Sequence, residues 1–502
     1  MTKLRRPRKT LDPQGAENIR RYLTDLYDGD FARRYFEYAS TEKSTYLRVN
    51  TLRTDAETLR RRLREHYRVE LEPIDAPAAA FRARDPERLL GKTFEQALGH
   101  YYMQSRSSMT PPLALDPKPG ERVLDLCAAP GSKSTQIAAM MENRGMLVVN
   151  EIQADRLSTL IFSLDRMGIV NAGATHERGE WISQRYDEFF DKALVDVPCT
   201  GLGILVKQIE VSDWWTAESA RKLADLQFRL ALSALKTLKV GGEMVYSTCT
   251  MTVEENEAVI DKLLERYPVE AIEFELPVAT AEPIDEFGGT TLHPGVRKSK
   301  RILPWEIMSE GFFVAKLRKT GSIEPSNPAP VREKDARFAP IEKLDRELAP
   351  IYDRFGMTRE DFAPYRFIKT PRHLFFVSEA WEGQSLPTYR RVGVRFGQID
   401  SGGGAILSTT AARIIGEKFR QNVVELETDE ELRRYVEGGT IKRDAGEKGQ
   451  LAVAYRGEVI GSAQATPGGV KSRFPKALRA NDLVLPNDLA NRPPAPEDAP
   501  LS

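Results

Sequence analysis

Two cysteines of this chain occur where paired thiol chemistry could take place. Cys199 and Cys249 follow apolar runs typical of β-strands, in the segments LVDVPCTGLG and MVYSTCT. In an open α/β sheet, ligands bind outside the carboxyl ends of the strands. The sequence therefore predicts that both thiols reach one edge of a sheet, although either one alone could be a core residue. The third cysteine, Cys127 in VLDLCAAPGSK, is interpreted as a residue that lines a turn.

A second motif, DLCAAPGSK at residues 125–133, predicts a ligand site at the start of a helix. Its small residues allow the backbone to approach a ligand at the helix N-terminus. It matches neither G-x-G-x-x-G nor the P-loop pattern, so it does not indicate a pyrophosphate site. Glu151 follows the next strand, where an acid can bind ribose hydroxyls. These features fit S-adenosylmethionine; the alternative is that Gly131 forms a tight turn and Glu151 stabilises a helix N-terminus.

An alternation of strands and helices between residues 120 and 320 predicts the parallel sheet that positions these motifs. The expected strands are ERVLDLC, GMLVVN, FFDKALVD, GGEMVYST and a late GFFVAKLRK. The expected helices span residues 133–142, 153–167, 219–238 and 254–267. The last helix is expected to begin with a capping box formed by Thr252 and Glu255.

Pattern and composition divide the chain into five segments. We expect a small α/β domain at 1–105, a catalytic domain at 106–320, a linker at 321–364, a strand-rich region at 365–485 and a disordered tail at 486–502. The linker is predicted from its proline-containing composition. The tail is predicted from its polar and proline-rich composition.

The overall composition is that of an ordinary globular protein, with 41% hydrophobic and 29% charged residues. Three cysteines cannot form a disulfide framework, and the sequence shows no secretory leader and no apolar run of about 20 residues. We therefore expect a cytoplasmic protein without a membrane span. The five histidines are scattered, so we expect no metal. We also expect a monomer.

The net charge is zero, which argues against nonspecific nucleic-acid binding. The basic residues are nevertheless clustered at 3–9, 60–64, 297–301 and 471–479. Each cluster alone could be a solvated face. Together, clusters in separate regions favour a bound polyanion.

Four segments resemble the successive motifs of the RNA cytosine-C5 methyltransferases, a family that has both a Pro-Cys and a Thr-Cys cysteine. These segments are DLCAAPGSKS, VVNE, LVDVPCTGLG and YSTCTMTVEENEAVI. YLRVNTLR, EGFFVAKLRK and YRGEVIGSA…SRFPKALR are similar to the bacterial 16S ribosomal RNA enzymes of the RsmF type. The last of these resembles a PUA-like RNA-binding module.

The resemblance implies an α/β fold with a Rossmann-like, S-adenosylmethionine-dependent methyltransferase core. The small N-terminal α/β domain and the strand-rich, PUA-like C-terminal region would bind RNA, with small-subunit ribosomal RNA as the partner. The residues expected to contact the cofactor are Cys127, Ala128, Ala129, Pro130, Gly131, Ser132, Lys133, Glu151 and Asp196.

The same resemblance assigns the catalytic roles. Cys249 would attack C6 of cytosine, and Cys199 would help to release the product. Asp196 would hydrogen-bond the N3/N4 edge of the base and stabilise charge that develops on the ring. Lys133 is expected to lie near Cys249 and to favour its thiolate form.

One position departs from the family pattern. Arg178 occupies the place of an acid that usually contacts the adenine amino group, so Glu177, Glu180 or a backbone group would have to replace it. A transfer RNA cytosine-C5 methyltransferase and a noncatalytic RNA-binding assembly factor are the alternative functions. A zinc deaminase is disfavoured, because no cysteine follows Cys199 at the P-C-x-x-C spacing.

Overall fold

The computed structural model describes residues 11–41, 43–74, 79–324, 338–381, 389–479 and 483–489. Its N-terminal elements are α1 (Pro13–Leu26), α2 (Gly29–Ala39), β1 (Thr45–Val49), α3 (Ala56–Tyr67), β2 (Glu70–Pro73), β3 (Ala80–Arg84), α4 (Phe94–Ala97) and β4 (Tyr101–Met103). The strands form a sheet in the order β2-β3-β1-β4, which packs on α3 around Leu47, Leu59 and Leu63. Helices α1 and α2 pack instead against a cluster that includes Leu202 and Met251, close in sequence to the two expected thiols.

The central part of the chain folds around one large sheet. Its elements are α5 (Thr110–Leu115), β5 (Arg122–Asp125), α6 (Ser132–Met140), β6 (Met146–Asn150), α7 (Ala154–Met167), β7 (Ala172–Thr175), β8 (Phe190–Asp196), α8 (Val211–Trp214), α9 (Ala217–Thr237), β9 (Leu238–Thr248), α10 (Glu257–Arg266), β10 (Val269–Ala271), β11 (Glu286–Phe287), β12 (Thr290–Thr291), β13 (Lys300–Ile302), α11 (Pro304–Ile307) and β14 (Phe312–Lys319). Strands β11 and β12 pair separately as a small hairpin.

Strands β9, β8, β5, β6 and β7 are parallel neighbours in this sheet, and β14 is antiparallel to β9. Helices α9 and α10 pack on one face, and α6 and α7 pack on the other. This Rossmann-like arrangement confirms the expected fold class. Because the strands are parallel, Asp125, Asn150, Asp196 and Thr248 end them at the same edge, where the expected site residues follow.

The C-terminal residues form two strand-rich units. Their elements are α12 (Asp345–Phe355), β15 (Tyr365–Lys369), β16 (His373–Ser378), β17 (Tyr389–Val392), β18 (Val394–Ile399), β19 (Ala405–Leu407), α13 (Thr409–Ile415), β20 (Val423–Leu426), α14 (Asp429–Val436), β21 (Thr440–Ile441), β22 (Gly449–Tyr455), β23 (Glu458–Thr466) and β24 (Gly469–Ser472). The first unit has the sheet order β15-β16-β18-β19, and the second has the order β20-β22-β23-β24-β21.

Strand β17 leaves the C-terminal units and joins the central sheet. It pairs antiparallel with β7, so the main path of the central sheet runs in the order β10-β14-β9-β8-β5-β6-β7-β17, and β13 pairs with β14 off this path. The catalytic sheet therefore extends beyond residue 320, where the sequence analysis places its end. Pairing with β17 covers the backbone groups that would otherwise make β7 an exposed edge strand.

The predicted linker at 321–364 is wrong for its second half. Residues 345–355 form helix α12, and Leu344, Leu348, Ile351 and Phe355 are buried in the core of the first C-terminal unit. These apolar residues recur at helical spacing, but prolines and charged residues dominate the composition around them. Residues 325–337 lie outside the described residues, as do 490–502 of the predicted tail. Leu489, inside that predicted tail, is buried against the N-terminal sheet.

The expected capping box of Thr252 and Glu255 is also absent. Helix α10 begins at Glu257, and its N-cap residue Asn256 makes no side-chain capping bond. Residues 253–256 form a turn instead. Glu255 is fully buried in that turn, and its carboxylate is bound from outside the helix.

Candidate active site

The two thiols expected to act together are in contact. The Sγ atoms of Cys199 and Cys249 lie 3.2 Å apart, and both side chains are half-buried free thiols. Cys199 follows β8 and Cys249 follows β9, two adjacent parallel strands in which Asp196 pairs with Ser247. The topology of the sheet thus brings the Pro-Cys and Thr-Cys motifs to one point.

Backbone hydrogen bonds hold the two thiol-bearing loops together. The N–H of Gly203 donates to the carbonyl of Cys249 over 2.9 Å, and the N–H of Gly311 donates to the carbonyl of Gly203 over the same distance. A Cβ atom at Gly203 would lie 2.3 Å from the Gly311 oxygen and 2.7 Å from the Cys249 oxygen. Only glycine therefore permits this approach of the backbones.

Lys133 and Asp196 form an ion pair beside the thiols. The Lys133 Nζ lies 2.6 Å from one Asp196 oxygen, and the Ser247 hydroxyl donates to the other over 2.8 Å. Burial acts to lower the pKa of Lys133, but the charge of Asp196, the hydrogen bond to it and the interaction with Cys249 together raise that pKa. Lys133 is therefore a stable cation that interacts electrostatically with Cys249, and its catalytic role stays a prediction.

Two of the three cysteines lie in surroundings that raise the pKa of the thiol. Contact with Cys249, burial and the charge of Glu255 raise the pKa of Cys199 well above the ordinary value of a thiol. Burial, Asp125 and Asp196 raise the pKa of Cys127 in the same way. Both groups are consequently held as neutral thiols, and a neutral thiol is a poor nucleophile.

The motif at 125–133 forms an open turn between β5 and α6. The N–H of Ala128 donates to the carbonyl of Asn150 over 2.9 Å, which ties the turn to the next strand. Gly131 has a φ of 106°, and a Cβ there would meet Ser163 and Leu160 at 3.0–3.1 Å. The turn therefore presents small residues and the first N–H groups of α6 to any ligand at this edge, which fits a nucleoside cofactor.

Glu151 lies where the sequence analysis places it, directly after β6. Its carboxylate is buried, accepts a hydrogen bond from the N–H of Gln153 over 2.8 Å and lies 3.5 Å from Arg156. Arg156 also donates to the carbonyl of Ala129 in the cofactor motif over 2.8 Å. The acid is thus held at the edge of the turn, with lone pairs left for ribose hydroxyls.

The departure at Arg178 changes the charge of the neighbouring surface. Arg178 is exposed, pairs with Glu180 over 3.0 Å and stacks over Trp181 at 4.9 Å from the ring centroid. Glu177 pairs with Arg185 over 2.6 Å. Both acids that could replace the usual one are therefore bound by arginines. The adenine contact stays a prediction.

Sequence reasoning missed the residues through which the N-terminal part supports the site. Buried Arg48, on β1, donates to the Gln104 side chain and to the Thr135 hydroxyl of α6, each over 3.0 Å. The hydroxyl of Tyr35, on α2, donates to the carbonyl of Leu202 in the loop after Cys199. Arg48 lies within YLRVNTLR, but only its burial in a strand reveals a structural role.

Comparison with known proteins identifies the family. A family model described as 16S rRNA methyltransferase RsmB/F matches residues 112–318, and one described as the methyltransferase RsmF PUA domain matches residues 421–480. The ribosomal RNA small subunit methyltransferase F of Shewanella piezotolerans is 30% identical over 459 residues, covering 88% of this chain and 93% of that protein. This chain belongs to the RsmB/F family of RNA methyltransferases and is of the RsmF type. As an RsmF-type enzyme it uses S-adenosylmethionine and acts on RNA.

Two proteins of Pyrococcus species are similar to about three fifths of the chain. The tRNA (cytosine(49)-C(5))-methyltransferase of Pyrococcus abyssi is 37% identical over 305 residues, 60% of this chain and 97% of that protein. The structure of a methyltransferase homologue from Pyrococcus horikoshii superimposes with a TM-score of 0.53 at 32% identity, covering 62% of this chain and all of that one. The second C-terminal unit of the RsmF-type chain coincides with the matched PUA domain.

The described residues contain neither a candidate membrane span nor a candidate metal cluster. Within the described ranges, no helix is long and apolar enough to cross a membrane. In that same part of the chain, no group of three or more His, Cys, Asp or Glu side chains is arranged to hold a metal ion.

Proposed function

We propose that this RsmF-type enzyme methylates C5 of a cytosine in 16S ribosomal RNA through a covalent bond between Cys249 and C6 of the base. The observation that carries the proposal is the contact between Cys199 and Cys249 beside the Lys133–Asp196 pair. C5 of cytosine is a weak nucleophile, so the reaction needs an attacking thiolate and a second group for the later elimination. This arrangement supplies both.

The attack assigns a role to three side chains. The Cys249 thiolate adds to C6, with the cation of Lys133 close to it. Asp196 keeps lone pairs free beyond its bonds to Lys133 and Ser247, with which it can accept a hydrogen bond from the N4 amino group. S-adenosylmethionine supplies the methyl group. The electron-rich C5 of the adduct accepts this group, and the bond between the methyl carbon and the sulfonium sulfur breaks with its electron pair remaining on that sulfur.

The release of the product assigns a role to Cys199. The C5 proton passes to solvent water, the C5–H electron pair forms the C5=C6 double bond, and the C6–S bond breaks with its electron pair returning to the Sγ of Cys249. Because the pKa of Cys199 is raised by Cys249 and by burial, Cys199 remains a neutral thiol. At 3.2 Å it can donate a hydrogen bond to the departing thiolate and so stabilise the leaving group.

The two thiols can be separated by mutation. Cys249→Ala is expected to abolish methylation and to form no covalent complex with RNA. Cys199→Ala is expected to attack and methylate but to remain bonded to the RNA, giving a slow band on a denaturing gel that RNase removes. The double variant is the control and should give no band. A complex in Cys249→Ala alone would reverse the roles, and full activity in both single variants would overturn the proposal.

Similarity to the relatives favours ribosomal RNA over transfer RNA as the substrate. Similarity to a small-subunit ribosomal RNA methyltransferase extends over 88% of the chain, whereas similarity to the transfer RNA enzyme covers 60%. This difference supports 16S ribosomal RNA, with transfer RNA as the second candidate. Bisulfite sequencing of total RNA from cells with and without the gene tests this assignment. The cytosine that resists bisulfite conversion only in cells with the gene identifies the RNA class.

A cleft between the catalytic domain and the C-terminal units is the proposed RNA contact. It has a volume of about 450 Å³ and includes Phe162 on α7, Arg395 on β18 and Arg473 after β24. Phe162 is 39% exposed, and among the described residues no hydrogen bond or ion pair engages the guanidinium of Arg395. Exposed arginines and an aromatic ring are the groups that bind phosphates and stack on bases.

A further inference from the structure

A buried carboxylate lies behind the two thiols without being part of the proposed reaction. Glu255 is fully buried and accepts four hydrogen bonds. One oxygen accepts from the N–H of Thr200 over 2.8 Å and from the Gln227 side chain over 2.9 Å. The other accepts from the hydroxyls of Thr200 and Thr252. A carboxylate with four donors is fully satisfied and fixed in place.

Three of these donors belong to groups that hold the thiol loops. Thr200 directly follows Cys199 and presents both its backbone N–H and its hydroxyl to Glu255. Gln227, on α9, also donates to the carbonyl of Pro198 over 2.9 Å, on the other side of Cys199. Glu255 and Gln227 together therefore determine the position of the short segment that carries Cys199.

The same carboxylate reaches the Cys249 loop through one hydroxyl. The hydroxyls of Thr200 and Thr250 lie 3.2 Å apart. Since the single proton of the Thr200 hydroxyl is donated to Glu255, Thr250 acts as the donor between the two. A directed chain from Thr250 through Thr200 to Glu255 thus connects the residues that follow the two cysteines.

We propose that Glu255 is a positioning residue, which holds Cys199 against Cys249 so that the covalent intermediate can be released. The inference rests on the proposed role of Cys199 in elimination. The negative charge of Glu255 adds an electrostatic effect, because it contributes to the raised pKa of Cys199, after Cys249 and burial. Attack by Cys249 does not need Cys199, so loss of Glu255 should impair release more than attack.

Glu255→Gln tests the proposal. The substitution preserves the size of the side chain, and the two threonine hydroxyls can reverse to accept from the new amide. We expect turnover to fall about tenfold or more, the loss that one charge-assisted hydrogen bond accounts for. The RNA KM should fall together with kcat, because release becomes the slow step, and the covalent complex should accumulate as in Cys199→Ala. A purely structural role would reduce attack and release together and would give no extra complex.

A second variant covers the case in which Glu255→Gln fails to fold. Thr200→Val removes the hydroxyl and keeps the backbone N–H, and it is expected to accumulate an intermediate amount of complex. Thr200→Ser restores the hydroxyl and should return the complex to the wild-type amount. Glu254→Gln is the matched control, since this neighbouring carboxylate binds Tyr22 and not the thiol loops.

The outcomes separate the inference from the proposed function. If Cys199→Ala traps the complex and neither Glu255→Gln nor Thr200→Val does, the positioning role of Glu255 is overturned while the function stands. If Cys199→Ala itself traps no complex, the role of Cys199 is wrong and the inference falls with it. Accumulation in all three, with none in Glu254→Gln, supports the inference.

Discussion

The Sγ atoms of Cys199 and Cys249 lie 3.2 Å apart although the residues are 50 positions apart in sequence. The contact depends on the register of β8 and β9, which places Asp196 opposite Ser247. It depends equally on the loops that follow, because each cysteine lies beyond the end of its strand. The backbone of those loops is therefore the first place to perturb.

Gly203→Ala should separate the thiols without affecting the cofactor site. The new Cβ would overlap the carbonyl oxygens of Gly311 and Cys249, so the Cys249 loop must move. A displacement of about 1 Å at a reacting group can lower the rate about 100-fold. RNA methylation measures the loss, and calorimetry should show unchanged affinity for S-adenosylmethionine. Gly91→Ala, at a glycine with open space around its Cβ position, is the control. Equal activity of both variants would contradict the expectation.

Glu151→Ala should weaken binding of S-adenosylmethionine. The buried carboxylate is expected to accept hydrogen bonds from the ribose, and losing a pair of such charge-assisted bonds costs about 2–3 kcal/mol. Isothermal calorimetry on the folded variant measures the difference. Glu180→Ala should bind as the wild type does, because its carboxylate is already paired with Arg178. Loss of affinity in Glu180→Ala would instead place that acid in the adenine contact.

The wild-type protein should lose stability as the pH rises from about 4 to about 7, and Asp125→Asn should reduce that loss. Burial raises the pKa of Asp125 to about 7, against a smaller opposing effect of the Ser134 hydrogen bond. The folded state consequently binds a proton that the unfolded state releases near pH 4, so the free energy of unfolding falls as pH rises through this range. The full effect of one such group is about 4 kcal/mol. Asparagine resembles the protonated form and removes this pH dependence. Melting temperatures of the cofactor-free wild type and Asp125→Asn, measured from pH 4 to 8, test this expectation. If the two plots of melting temperature against pH are parallel, the expectation is refuted.

Arg395→Ala combined with Arg473→Ala should weaken RNA binding and leave cofactor binding unchanged. Each lost phosphate contact lowers the slope of log affinity against log salt by about one unit, so the double variant should lose about two. Binding titrations at several salt concentrations measure this slope. Arg221→Ala, on the exposed surface of α9, is the control. An unchanged slope in the double variant would remove the cleft from the RNA contact.

The sequence predicts the central sheet because its signals are local. Strands, turns and helices at 122–196 are encoded by apolar runs next to small residues, and the motifs at Cys127, Cys199 and Cys249 appear where the topology requires them. The errors concern interactions between distant residues. Thr252 and Glu255 have capping-box spacing and their side chains do form a hydrogen bond, but Glu255 also binds Thr200, 55 positions away, and lies outside the helix. No local pattern reveals that partner.

The contribution of β17 was beyond sequence reasoning for the same reason. Tyr389–Val392 reads as a short strand in a strand-rich region, and nothing in it indicates pairing with β7, more than 200 positions earlier. The predicted linker is wrong for residues 345–355 because the prolines and charges of this segment mask a helical spacing of apolar residues. Leu344, Leu348, Ile351 and Phe355 carry that spacing, and their burial is what determines the structure.

Strand β17 also has a consequence for synthesis on the ribosome. All the catalytic motifs have been translated by residue 255, and β14 completes the opposite side of the sheet at Lys319. The backbone of β7 nevertheless stays unpaired on one side until residues 389–392 are made, which are the last strand of this sheet to be translated. Until they emerge, the nascent chain contains every side chain of the proposed catalytic site and still exposes an open strand edge, the kind of surface on which folding intermediates associate. Completion of the catalytic sheet is thus coupled to the arrival of the C-terminal part.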